Sequence, residues 1–158
     1  MTPEPEAPVQ IQETAMIDPC FALDQEQTVD TMIALTHPST LGGIIITGSE
    51  SMELYLVLRR RGYSRVATPV TCRAPKRQHA VGLVTGQNAV AALVQASPFL
   101  STNSNVAVLI ESRDGELAMN IRHKLQQMGF RIEAGVRCRR GLVLAADRRG
   151  FSQLELAA

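Results

Sequence analysis

The stretch Leu41-Gly42-Gly43-Ile44-Ile45-Ile46-Thr47-Gly48-Ser49-Glu50-Ser51-Met52 constrains the chain most. An unbroken isoleucine run closed by a glycine and followed by small polar residues reads as a strand, a tight turn and a helix start. Such a strand is buried on both faces. It therefore needs helices above and below it, and this commits the chain to an α/β layered design. With 158 residues the chain fits one domain of the usual size, roughly 100–200 residues. Aromatics are only 4% and Trp is absent, so the core has to come from Val, Ile, Leu, Ala and Met.

In order, residues 1–23 form an acidic N-terminal segment that is expected to be flexible, with three prolines in the first ten positions. Residues 24–37 read as a helix with Asp24 as N-cap and Val29, Met32, Ile33 and Thr36 on one face. Pro38 ends it. The strand at 43–47 leads to a helix over 51–61 capped by Ser49 or Ser51, with Met52, Tyr55 and Leu56 inward, Leu54 and Leu58 widening that stripe, and Gly62 as its stop. A second strand is expected at 65–70. The basic loop 71–79 follows, and then a strand at 80–85. That loop is short for a parallel crossover, so the two strands are either parallel, with the loop crossing the sheet end, or antiparallel; the buried run Val81-Gly82-Leu83-Val84 favours the former. Asn88 caps a helix through Gln95, residues 101–105 read as polar loop, and 106–110 as a buried strand. Asp114 opens a helix to Met128. Residues 130–137 and 142–146 form a hairpin about Cys138-Arg139-Arg140-Gly141. The domain is expected to span 24–150, with a tail at 151–158.

Charge is divided unevenly. Residues 1–58 hold nine acids and no Lys or Arg, whereas 59–158 hold all sixteen basic residues and six acids. The expected outcome is an acidic segment lying across the basic body, in a self-docked monomer or a homodimer; a protein partner is the other option. Arg59, Arg60, Arg61, Arg65, Arg73, Lys76 and Arg77 form one basic group. Arg131, Arg137, Arg139, Arg140, Arg148 and Arg149 form another. Few aromatics interleave them, so nucleic-acid binding is not expected. Cys20, Cys72 and Cys138 are too widely spaced for a zinc or redox motif. No apolar run is long enough to span a membrane, and the first residues lack a signal-peptide pattern, so the expected location is cytoplasmic.

The order of elements, with Val106–Ile110, the helix to Met128, Gly129-Phe130-Arg131-Ile132 and Gly141-Leu142-Val143-Leu144-Ala145-Ala146, resembles the class I S-adenosylmethionine-dependent methyltransferases over about residues 40–147. The resemblance implies a three-layer, doubly wound, mostly parallel sheet with a C-terminal antiparallel hairpin. It also implies S-adenosylmethionine as cofactor. Gly48 matches the first glycine of that family's cofactor turn, while Ser49, Glu50 and Ser51 stand where further glycines belong. The second strand ends in Thr71-Cys72-Arg73 without the family's carboxylate, and the third family strand is replaced by the loop before His79.

The carboxyl ends of the strands are where an open α/β sheet binds ligands. They carry the candidate cofactor residues Thr47, Gly48, Ser49, Glu50, Thr71, Cys72, Thr85 and Gly86. Gly48 is read as the point where a ligand approaches the backbone. Among the histidines, only His79 is placed near that edge; His37 and His123 are a helix-end and a surface residue. The departures from the cofactor motif make a degenerate, non-catalytic binding or regulatory module the leading expectation. A small methyltransferase with an atypical pocket is the alternative, and a basic-surface binder of nucleic acid or an acidic partner is the third.

Overall fold

The computed structural model describes residues 19–69, 76–111 and 115–149. The elements are α1 (Pro19–Thr36), β1 (Ile44–Gly48), α2 (Ser51–Arg60), β2 (Val66–Ala67), β3 (His79–Thr85), α3 (Ala89–Ala96), β4 (Leu100–Ile110), α4 (Gly115–Gln127), β5 (Arg131–Cys138) and β6 (Gly141–Arg148), with one 3-10 turn at Ser97–Phe99. The sheet order is β2-β1-β3-β4-β6-β5. The first four strands run parallel. β6 enters antiparallel between β4 and β5. The strands at 66–67 and 79–85 are thus parallel to each other with β1 between them, the first of the two expected arrangements.

Burial explains this arrangement. Ile44, Ile45 and Ile46 are fully buried. Ile44 and Ile46 pack with Val29, Met32, Leu54, Val57 and Leu58, so α1 and α2 cover that face. Ile45 packs with Ala89, Ala92, Leu93, Ile121 and Leu125, so α3 and α4 cover the other. The apolar run seen in the sequence is therefore read alternately by two helix layers. No helix of the described residues is long and apolar enough to cross a membrane.

Four local expectations are corrected. α1 begins at Pro19, a residue suited to the first helical turn, where its missing N–H is not needed. Asp24 is therefore inside the helix, and its carbonyl accepts a hydrogen bond from the Thr28 hydroxyl. α2 turns Leu54, Val57 and Leu58 inward and leaves Met52 and Leu56 about half exposed. Position 50, rather than Ser49 or Ser51, is its N-cap, with no side-chain bond. β2 is only two residues long; Pro69, lacking an N–H, cannot extend the ladder. The polar stretch 101–105 belongs to β4, which makes room for it by an irregularity in register: His79 faces Leu100, but Val81 faces Asn105.

The acids of α1 dock on the same chain. Glu26 and Asp30 both pair with Arg61, and Asp24 pairs with Arg139 at 3.7 Å. Together with the buried Val29 and Met32, this covers one sheet face within a single chain.

Candidate active site at the carboxyl edge of the sheet

From β1 the chain passes to β2 on one side and then crosses to β3 on the other. That reversal puts the switch point of the sheet between the carboxyl ends of β1 and β3, the usual place for a ligand crevice. Thr47, Gly48, Ser49 and Glu50 end the first of these strands; Thr85 and Gly86 end the second. The structure thus brings six of the eight expected residues together. Thr71 and Cys72 lie outside the described residues.

The two glycines hold the turns against each other. Gly48 has φ +112° and Gly86 has φ +102°. A β-carbon on Gly48 would overlap the Thr85 carbonyl oxygen and stand 2.7 Å from the carbonyl carbon. One on Gly86 would overlap the Ser49 hydroxyl and stand 2.8 Å from the Ser49 nitrogen. Gly48 is therefore required because protein backbone, not a ligand, approaches it. The adjacent threonines are buried, and among the described residues neither the Thr47 nor the Thr85 hydroxyl has a hydrogen-bond partner. Such orphaned buried groups are uncommon and cluster where a site expects a further partner.

Beside these turns a hollow of about 670 Å³ opens between Gly48, Ser49 and the outer face of α3. Gln87, Asn88 and Gln95 supply amide groups to its wall, and Ala91 and Ala92 leave it wide. Among the described residues no charged side chain lines it.

Glu50, after β1, is tied into an ion-pair network that the hollow does not include. Arg140, in the turn between β5 and β6, donates to Glu50 at 2.5 Å and to Glu111, just beyond β4, at 2.9 Å. Its side chain is 9% exposed. Burial works against its charge, but the bonds to Glu50 and Glu111 and their charges outweigh this and raise its pKa. A β-carbon on Gly141 would meet the end of β4 at Ile110, so this turn sits tightly on the strand edge. Sequence reasoning placed Arg140 among surface charges. The only local signal was its position before the turn glycine, and its partner Glu50 lies 90 residues away.

His79 is not at this edge. It opens β3, at the amino end of the parallel strands. The ring is buried, and its Nδ1 donates to the Phe99 carbonyl at 3.0 Å. Burial lowers its pKa; the Phe99 bond works the other way, and the Arg65 charge adds to the lowering. It is a neutral packed histidine. Much of the expected basic surface is likewise spent within the chain. Arg59 and Arg60 bond backbone carbonyls. Arg148 lies over the Phe130 ring at 4.6 Å and donates to Met128 and Ser101 carbonyls. Among the described residues no group of three metal-ligating side chains occurs.

By sequence the chain matches no protein-family model and no curated protein. By structure it is similar to the precorrin-6y C5,15-methyltransferase of Geobacter metallireducens GS-15, with TM-score 0.55 and 8% identity over 78% of this chain and 88% of that one. It is similar to the ribosomal protein L11 methylase of Lactobacillus delbrueckii subsp. bulgaricus, with TM-score 0.54 and 14% identity over 79% and 78%. The fold is that of the class I methyltransferases. The methyltransferase fold also matches the cyclase SpnF, with TM-score 0.53 and 11% identity over 82% of each chain. The reaction has therefore to be argued from the site and not from the fold.

Proposed function

We propose that the chain binds S-adenosylmethionine over the β1 and β3 turns and is a small methyltransferase. The observation that carries this reading is the hollow beside Gly48 and Ser49, which opens at the switch point of a methyltransferase fold. Its size falls within the range of small-ligand pockets, roughly 300–1,000 Å³. The residues present fit the cofactor. Ser49, Gln87, Asn88 and Gln95 offer neutral donors and acceptors suited to a ribose and a purine, and Ala91 and Ala92 leave room for the ring. Thr47 and Thr85 precede the two turns with buried hydroxyls, and Gly48 and Gly86 fix the turns. Once bound, the cofactor supplies an electrophilic methyl group; the protein's part is to hold it and an acceptor in line and exclude water.

A second reading, a module that binds without transferring, draws on one observation. Glu50 and Glu111 are both engaged by Arg140, and His79 is at the other edge, so among the described residues no acid–base pair stands ready. Methyl transfer works largely by positioning, and this favours the first reading. Calorimetric titration with S-adenosylmethionine tests it, with Ala91→Trp as control. Ala91 is exposed on α3, so the indole fills the hollow without entering the core. Micromolar binding by the native chain, weakened by about tenfold or more in the variant, is expected. Absence of binding at millimolar cofactor, or equal binding by Ala91→Trp, overturns the assignment.

A further inference from the structure

Strand direction sorts the charges between the two edges of the sheet. Glu50 and Glu111 follow β1 and β4, and Glu53 and Glu116 lie in the first turns of α2 and α4, all towards the carboxyl edge. The amino edge is basic. Arg65 precedes β2, Lys76 and Arg77 precede β3, Arg131 opens β5, and Arg148 and Arg149 end and follow the antiparallel β6. Two acids meet them: Asp147, buried and shared by Arg131 and Arg149 at 3.8 and 3.6 Å, and Glu133, 4.0 Å from Arg131. Arg65, Lys76 and Arg77 are exposed and have no carboxylate partner among the described residues. Arg77 is held in place under strain. Its φ is +59°, unusual for a residue with a side chain, and its N–H is tied to the Pro98 carbonyl at 3.0 Å. Its charge acts on Arg148, whose pKa is lowered by burial and by Arg77. Two like charges set together on a strained backbone, with no described carboxylate to offset them, point to a role outside the fold itself.

We propose that the amino edge of the sheet binds the phosphate backbone of a nucleic acid. Neighbouring strands are about 4.8 Å apart, so the cations from β2 to β5 form a row about 24 Å long. A repeating anion meets such a row at every station, whereas a single small anion meets one. At the same edge lies a hollow of about 200 Å³ lined by Ser39, Asn103, Asn105 and Arg149. Hydroxyl and amide groups beside an arginine are the side chains that contact phosphate and sugar. Among the described residues Leu41 is the one exposed large apolar side chain in the loops of this edge, so the surface lacks the apolar centre of a protein–protein interface. The scarcity of aromatics removes base stacking but not phosphate contact, so this binding reads no sequence. The surface lies at the other edge from the hollow beside Gly48 and does not rest on the cofactor assignment.

Fluorescence anisotropy of a labelled single-stranded RNA, titrated with the full chain at several salt concentrations and without cofactor, tests this. With Arg65, Lys76, Arg77 and Arg149 making about four phosphate contacts, the logarithm of affinity should fall against that of salt with a slope of roughly −3. The double variant Lys76→Gln, Arg77→Asn should reduce that slope by about 1.4 and weaken binding at low salt about tenfold. Asn is chosen because it tolerates the positive φ. Arg137→Gln, an exposed arginine near the hairpin end of β5, should change neither quantity. Thermal melts confirm folding; where the double variant does not fold, Arg65→Gln is scored alone, with a slope reduced by about 0.7. No binding by the native chain at low salt, binding without salt dependence, or an equal loss in Arg137→Gln overturns the proposal. Poly-L-glutamate is added as a competitor. If it displaces the RNA as well as unlabelled RNA of equal charge does, the edge takes an acidic protein segment and the nucleic-acid assignment falls.

Discussion

Gly48→Ala and Gly62→Ala separate two reasons for a glycine. Both positions have positive φ, +112° and +98°. A side chain at either therefore carries a backbone strain of about 1–3 kcal/mol. At Gly62 nothing lies within 4 Å of the new β-carbon, so strain is the whole cost. At Gly48 the β-carbon overlaps the Thr85 carbonyl oxygen, and reaching ordinary contact means moving the ends of β1 and β3 apart. That movement sacrifices one or two ladder hydrogen bonds at about 0.5–1.5 kcal/mol each and leaves their groups buried. The sum for Gly48→Ala is about 3–5 kcal/mol, a large fraction of a typical stability of about 5–15 kcal/mol. With a urea slope of about 2–3 kcal/mol per molar, the midpoint falls by roughly 1–2.5 M, against roughly 0.3–1.5 M for Gly62→Ala, and the Gly48→Ala shift is the larger of the two. Urea unfolding followed by circular dichroism measures both. Equal shifts would mean that the β1 and β3 turns do not pack as described. The same geometry warns that loss of ligand binding in a Gly48 variant reports on folding before it reports on a pocket.

Other outcomes follow from burial and charge. His79 has its folded pKa lowered by burial, below the ordinary value near 6.5, so the unfolded chain binds the extra proton. The stability it contributes is complete above that value and drains as pH falls through it towards the folded pKa; in His79→Gln the fall in melting temperature over that window should flatten, and parallel curves would argue against a neutral buried ring. Met32→Ala, at a fully buried position of α1, should cost about 2–5 kcal/mol. Arg61→Ala removes pairs to two acids that are more than half exposed, so it should cost less than about 1 kcal/mol and the difference should vanish in high salt. Chemical denaturation of the two variants compares them, and a larger loss for Arg61→Ala would mean that charge rather than apolar burial holds α1. Deleting residues 1–38 removes Val29 and Met32 from the cover of Ile44 and Ile46 and should lower solubility; a soluble truncation melting at the native temperature would contradict that cover.

The parts of the fold legible in the sequence are those where one local pattern admits one solution. Ile44-Ile45-Ile46 can only be a strand between two helix layers, and Ala89, Ala92, Leu93 and Ala96 mark a single helical face. The inward face of α2 was not legible, because apolar residues at 52 and 54–58 nearly encircle the helix and only the tertiary position of the sheet chooses among them. β4 was read short because its first residues are polar; they are held in the sheet by β6, as in the pairing of Ser104 with Arg148. At the site, each glycine could be flagged singly, but not that Gly48 and Gly86 serve the same contact. His79 was assigned to the wrong edge because it opens β3 and so lies at the amino end of a strand parallel to β1.

The uneven distribution of charge finds its physical meaning at the same edge. Asp24, Glu26, Asp30 and Glu50 all come from the acidic first part of the chain, and each pairs with an arginine from the second. Two of those arginines, Arg139 and Arg140, are neighbours in the β5–β6 turn. One reaches α1 and the other reaches the turn after β1. The hairpin turn therefore joins the cover helix to the crevice, through an exposed pair that water screens and a buried pair that it does not. Loosening Arg140 should consequently be felt at α1 as well as at Glu50, whereas loosening Arg139 should leave the crevice as it was. The order of importance is set by burial: Arg139 is 70% exposed and Arg140 is 9%. The buried Glu50–Arg140 pair cannot form until β6 has entered the sheet, which ties the order of the turn after β1 to closure of the fold.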